Sequence, residues 1–197
     1  MNLLREYIRQ LLTESTIDSK IMRMIDKAEK YGLDVEIQSN KVVIYGTTHG
    51  KHKPYAEVHW TDEPMFGPCL KSSIVQLAKA KLGFGPLAYD VAIEATGGLM
   101  SDRTEVSPDA AAVWDYYVNN RPDVKVDQLD IMKDYGEEQL TPDDPSDDCD
   151  QLPAHFRHKS NWHTSSLSKK ISKSGTPVID ELRKRFMIYD DREDNIL

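Results

Sequence analysis

Three groups of residues have types and spacing that could do chemistry. The first lies in Lys79–Arg103, KAKLGFGPLAYDVAIEATGGLMSDR. An apolar strand candidate, Ser73–Ala78, feeds a short loop with Gly83 and Gly85, and a helix opens at Pro86. Glycines let backbone approach an anion closely, and the unpaired N–H groups of a first helical turn point at it. Lys79 and Lys81 add positive charge at the mouth. The stretch reads as a cradle for a phosphorylated cofactor, or more plainly as a corner turned on two glycines. The second group is Glu57 and His59, two apart on one strand face, where they could take a proton from an incoming nucleophile. Its plainer account is a solvated strand face. The third is a late polar region with Cys149, His155, His158 and His163. It lacks the paired Cys and His spacing of zinc sites. The aspartate-rich run Asp143–Asp150 lacks the glycine and closing glutamate of a calcium loop and reads as a linker. His49-x-x-His52 reads as a turn, and no metal is expected.

The elements that must position these groups follow from periodicity. Residues 2–13 form an amphipathic helix, with Leu3, Leu4, Tyr7, Ile8, Leu11 and Leu12 on one face. A second helix has Ser15 or Thr16 as cap, Ile17, Ile21, Met24, Ile25 and Ala28 as its buried stripe, and Gly32 as its end. Strands are expected at Leu33–Gln38 and Lys41–Thr47, joined by Ser39-Asn40. A third, Tyr55–Trp60, follows a polar turn at 49–54 and turns Ala56, Val58 and Trp60 to the face opposite Glu57 and His59. After Ser73–Ala78 the helix Pro86–Ala95 is stopped by Gly97-Gly98, and Leu99-Met100 begins a fifth strand. Ser107-Pro108-Asp109 is a clear helix start: cap, proline at the first helical position, and acid at the positive end of the dipole. Ala110, Val113, Trp114 and Tyr117 form that helix's buried face, and Val124–Ile131 reads as a strand. Beyond Thr141 come the acidic linker, a basic Ser/His/Lys-rich stretch and a last helix near Pro177–Tyr189.

Bulk properties narrow the function classes. The 197 residues suffice for one domain with appendages. A net charge of −8 argues against general nucleic-acid or anionic-membrane binding. The basic stretch 157–173, with Phe156 and Trp162, is weighed as packing on the chain's own acid rather than as a nucleic-acid site. Two cysteines, Cys69 and Cys149, do not make a disulfide framework, which points to a reducing cytoplasm. No apolar run approaches transmembrane length, and the N-terminus lacks a secretory pattern.

The order of elements across roughly residues 15–132 resembles the GNAT acyltransferase superfamily. Two motifs carry the resemblance. Ala80-Lys81-Leu82-Gly83-Phe84-Gly85 stands where that family has an Arg/Gln-x-x-Gly-x-Gly/Ala pyrophosphate loop. Ser107-Pro-Asp-Ala110-Ala-Ala-Val-Trp114 matches the spacing of its Asn-x-x-Ala-x-x-x-Tyr helix. The resemblance implies an α/β fold with a mixed, mostly antiparallel sheet flanked by helices. It also implies acyl transfer from acetyl-CoA or another acyl-CoA to an amine, on a small molecule or a protein. Cofactor contacts would come from Gln76, Leu77, Ala78, Lys79, Lys81, Leu82, Gly83, Phe84 and Gly85, and a backbone N–H near Gln76–Ala78 would polarise the thioester carbonyl. Glu57 or His59 would be the base. The chain departs from the pattern in Ala80 and in Trp114, which replaces the proton-donating tyrosine; Tyr116 or Tyr117 is the substitute.

The N-terminal helix, residues 1–14, is similar to the targeting peptides of proteins packaged in tailed-phage heads, with Leu12-Thr13-Glu14 fitting a maturation cleavage tripeptide. Its plainer reading is a helix that packs on the domain or pairs two subunits. Similarity to phage-encoded proteins also runs through Gly83–Ala95, Gly97–Arg103, Ser165–Lys170 and Pro177–Arg185, and implies a viral origin. The expected organisation is thus a targeting helix, a GNAT-like domain over 15–132, and an extension over 133–197. The alternatives to an enzyme in the host cytoplasm are a catalytically inactive virion or head-packaged protein and an inhibitor that binds a host protein.

Overall fold

Apolar–polar alternation builds the centre of the molecule. The computed structural model describes residues 17–48, 51–62, 67–102, 106–132, 139–150 and 164–192. Helix α1 (Ser19–Lys30) leads into β1 (Leu33–Gln38), β2 (Lys41–Thr48) and β3 (Lys51–Thr61). The β1–β2 hairpin has the expected register, from Leu33↔Gly46 to Gln38↔Lys41, which turns Val35, Ile37, Val42 and Ile44 into the core. The cap of α1 is Asp18, whose carboxylate accepts from the N–H groups of Lys20 and Ile21. The expected caps Ser15 and Thr16 lie outside the described residues, as do the helix over 2–13, the tripeptide Leu12–Glu14, His49, and the segment 151–163.

Strand β3 starts earlier than its alternation suggests, and Lys51–Pro54 belongs to it rather than to a turn. Proline lacks an N–H and is tolerated within sheets at a bulge. The register shift between Ile44 and Tyr45 supplies one, since Tyr45 pairs with Pro54 while Ile44 pairs with Ala56.

Strand β4 (Ser73–Ala80) follows a 3-10 turn at Cys69–Lys71, and α2 (Gly85–Thr96) and β5 (Leu99–Met100) come next. Helix α2 buries every residue from Leu87 to Glu94. A helix apolar on most sides belongs between layers. Helix α3 (Pro108–Asn120) starts as its sequence dictates: the Ser107 hydroxyl accepts from the Ala110 N–H, with Pro108 and Asp109 in the first turn.

The expected strand Val124–Ile131 is two strands, β6 (Lys125–Gln128) and β7 (Asp130–Ile131). They separate at Leu129, whose N–H turns to the Ser168 carbonyl. Strand β7 pairs in parallel with β8 (Asp148–Cys149), so the acidic run is partly strand rather than wholly linker. Strand β9 (Lys169–Ser172), helix α4 (Pro177–Lys184) and strand β10 (Ile188–Asp190) complete the described elements. The main sheet has the order β10-β1-β2-β3-β4-β5-β9-β6, antiparallel except at β1–β10 and β4–β5. This is the mixed, mostly antiparallel sheet flanked by helices that the sequence leads one to expect.

Two of the described strands beyond residue 132 belong to the main sheet. Strand β9 lies between β5 and β6, and β10 borders β1 at the opposite edge. Gly98 lets β9 come close: its φ is +155°, and a Cβ there would meet the Lys170 side chain and, at 3.3 Å, the Ile171 carbonyl. Cys69 and Cys149, which their number alone suggests would stay unpaired, form a disulfide. No helix among the described residues is long and apolar enough to cross a membrane.

Candidate functional site

A bulge decides where the sheet opens. Strands β4 and β5 pair only at Ser73↔Leu99 and Ile74↔Met100. On its other side β4 pairs with β3, but the register jumps from Trp60↔Val75 to His59↔Leu77, leaving Gln76 as the extra residue. Bulges bend the strand that carries them. Beyond Ile74 the β5-facing edge of β4 has no strand partner among the described residues, and α2 and α3 wall the gap.

Two cavities line that gap. One, about 380 Å³, is bounded by Glu57, Ala78, Lys79, Ala80, Gly85 and Tyr89 with the first turns of α3. The other, about 300 Å³, is bounded by Gln76, Leu77, Ala78, Tyr89 and Trp114 with Ser107 and Ala110. Of the nine expected cofactor residues, Gln76, Leu77, Ala78, Lys79 and Gly85 therefore border the gap. Lys81, Leu82 and Gly83 lie in the exposed loop beyond it. Gly83 has φ +81°, and a Cβ added there would meet nothing within 4 Å, so its backbone is open to approach. Phe84 is fully buried, edge-on to Tyr55 and beneath the Lys27 ammonium, which donates to the Leu82 carbonyl. Its ring is core, so only its backbone can meet a ligand. Phe84, at the N-cap of α2, supplies no side-chain cap.

The two proton-transfer candidates on β3 come together. His59 Nε2 lies 3.1 Å from Glu57 Oε2, and Lys79 Nζ lies 3.8 Å from Glu57 Oε1. Both side chains of the Glu57–His59 pair are about a quarter exposed, and Glu57 borders the larger cavity. A carboxylate beside an imidazole can hold and pass a proton. Tyr116 borders neither cavity; its ring lies under Lys20 and edge-on to Tyr117. Burial, with Asp18, Asp90 and Asp123 nearby, raises its phenol. Tyr117 is core, donating from its hydroxyl to the Asp90 carboxylate at 2.7 Å.

Tyr89 is a lining residue that the sequence does not announce. It borders both cavities, is 3% exposed, and its buried hydroxyl has no hydrogen-bond partner among the described residues. Burial pushes its phenol up to about 12. Trp114 packs edge-on to Tyr89 and carries an indole N–H donor.

Behind the cavities lies a buried charge network that joins α2, the end of α3, β9 and α4. Arg121 donates twice to Asp90, at 2.8 Å each, and twice to Asp123. Lys173 Nζ reaches Asp90 at 2.9 Å and Glu94 at 2.5 Å. Glu94 in turn accepts from the N–H groups of Val178 and Ile179 and so caps α4, whose own Thr176 supplies no side-chain cap. Burial alone would raise Asp90, but Arg121 and Lys173 hold its carboxyl below the usual range. Burial opposes the charge of Lys173, yet Asp90 and Glu94 raise its pKa. On α2, Asp90 and Glu94 sit one turn apart, so the network orients the helix that borders the gap.

Comparison with known proteins finds no matching family model, no matching curated protein and no matching solved structure.

Proposed function

We propose that the chain is a GNAT-like acyltransferase that moves an acyl group from acyl-CoA to an amine in the gap between β4 and helices α2 and α3. The observation that carries this reading is the parting of two parallel strands at the bulged Gln76, which leaves backbone edge beside cavities. Open N–H groups along Val75–Ala80 suit the amides and thioester of an extended cofactor arm. The exposed Gly83 backbone, with Lys79 and Lys81 at the mouth, suits its phosphates.

Coenzyme A, when bound, supplies an activated thioester carbonyl. An N–H near Leu77 or Ala78 would stabilise negative charge on that carbonyl oxygen. Glu57, held beside His59, would take the proton from the acceptor amine. Tyr89 is the hydroxyl best placed to serve the role that Trp114 does not fill. Ala80 replaces the family's first Arg/Gln, leaving phosphate attraction to its lysine neighbours.

Trp114 also favours a second reading, a non-catalytic virion protein or host-directed inhibitor that keeps the fold. Thermal shift separates the two. Acetyl-CoA should raise the melting temperature, and Gly83→Trp should remove the rise by blocking backbone approach. No shift at millimolar acetyl-CoA would eliminate the transferase. Finding the chain in purified phage particles would then favour the virion reading.

A further inference from the structure

We propose that Asp130, Asp147 and Asp148 bind a calcium-sized divalent cation that pins the 139–150 segment to β7. This site is separate from the gap and does not depend on the transferase reading. Asp130 lies on β7 opposite Asp148 on β8, and Asp147 immediately precedes β8. One oxygen from each lies within 4.8 Å of the others. Two ligands of one ion can be no farther apart than twice the bond length, roughly 4.6–5.2 Å for calcium and about 4.0–4.2 Å for magnesium. The 4.8 Å bound on the cluster lies inside the span of a calcium ion.

Proximity of acids alone would mean little. What distinguishes this cluster is unanswered charge under burial. Asp130 is fully buried and Asp147 is 7% exposed. Oδ2 of Asp130 accepts from the Leu140 and Thr141 N–H groups at 2.7 and 2.8 Å. Thr141 Oγ1 then stands 2.6 Å from Asp147 Oδ2 and 3.1 Å from Asp130 Oδ2. One hydroxyl carries one proton, so it can donate to only one of these carboxylates at a time. The remaining oxygens, Oδ1 of Asp130 and Oδ1 of Asp147, are buried with no hydrogen-bond partner among the described residues, and so is Oδ1 of Asp150.

Buried carboxylates elsewhere in this chain meet cations, as Asp90 meets Arg121 and Lys173. Among the described residues no lysine, arginine or histidine forms an ion pair with Asp130, Asp147 or Asp148. A buried charge needs a partner or a proton. Each of the three carboxylates offers one hard oxygen to the same point, the ligand type that calcium prefers. The same segment contacts the core through the Leu70 N–H to the Ser146 carbonyl and through the Cys69–Cys149 disulfide, so a cation here would fix an element that is already tethered.

The test uses the full chain, stripped with EDTA and titrated with calcium and, separately, magnesium by calorimetry and thermal melting. One calcium per chain should bind at roughly 10⁻⁴–10⁻³ M or tighter, raise the melting temperature, and outcompete magnesium. Asp148→Asn is the primary variant because Asp148 is partly exposed and Asp130 and Asp147 keep their Thr141 contacts; it should weaken binding about tenfold or more. Asp147→Asn should do the same. A flat calcium isotherm and an unchanged melt up to about 10 mM would overturn the proposal. So would a calcium response that survives both variants. A gain in stability for Asp147→Asn in EDTA without any calcium response would overturn it too, and would assign the pair a shared proton instead.

Discussion

Arg121→Met should be strongly destabilising. Its side chain is fully buried and makes four hydrogen bonds of 2.7–2.8 Å to Asp90 and Asp123. Summing charge-assisted bonds would overshoot, because both carboxylates are partly compensated by Lys173. The better measure is the cost of leaving a buried charge short of its partner, about 3–5 kcal/mol. For a chain of this size that lowers the melting temperature by roughly 6–20 °C. Lys173→Met should cost less, since Asp90 keeps Arg121 and Tyr117 and Glu94 keeps two backbone donors. The pH dependence follows from the directions of the shifts. Asp90 is depressed in the folded chain, so its contribution is present above the unfolded aspartate pKa of about 3.9 and is lost as pH falls through the folded value. Lys173 is raised, so its contribution is complete below the unfolded lysine pKa of about 10.4 and is lost as pH climbs through the folded value. Urea denaturation of wild type, Arg121→Met and Lys173→Met across pH should show both limbs, with the Lys173 share of the alkaline limb missing from Lys173→Met. A loss below about 1 kcal/mol in Arg121→Met, the range of exposed ion pairs, would refute the network's role.

Other expectations are narrower. On the proposed transferase reading, Glu57→Gln should cut acyl transfer by about 10²–10⁴-fold while leaving the urea midpoint nearly unchanged, which steady-state kinetics and denaturation would read together. Ser107→Ala should cost about 1 kcal/mol by leaving the first turn of α3 without its side-chain cap, measurable by urea denaturation. Gly98→Ala should destabilise more than Gly175→Ala: both positions have positive φ, but only at Gly98 does a methyl group also meet the Ile171 carbonyl, at 3.3 Å, and thermal melting compares the two.

Local patterns gave away local structure. The β1–β2 register follows from alternation around Ser39-Asn40, and the start of α3 from Ser107-Pro108-Asp109. The pairing of Glu57 with His59 follows from the two-residue period of a strand. What stayed hidden depends on partners far along the chain. Asp90 and Glu94 look like a solvated helix face until Arg121, 31 residues beyond Asp90, and Lys173, 83 residues beyond it, arrive to neutralise them. Lys169–Ser172 reads as a basic stretch because Ile171 is its one fully buried side chain. In the gap, the glycine loop was legible, but Phe84 as core and Tyr89 as lining were not, since both depend on how α2 packs. The cysteine pair spans 80 residues and left no local trace.

The position of β9 sets a timetable for synthesis. Leu99 on β5 waits for Ile171, and β1 waits for β10, so both sides of the sheet are finished by segments that leave the ribosome late. Such distant pairings slow folding and leave strand edges exposed meanwhile. A nascent chain that has emerged only through α3 would hold Asp90 and Glu94 without Lys173 and would present the edge of β5 to any neighbouring strand. Closing the sheet is therefore a late event in the life of the nascent chain, and chaperone demand should fall on the interval before residue 190 emerges.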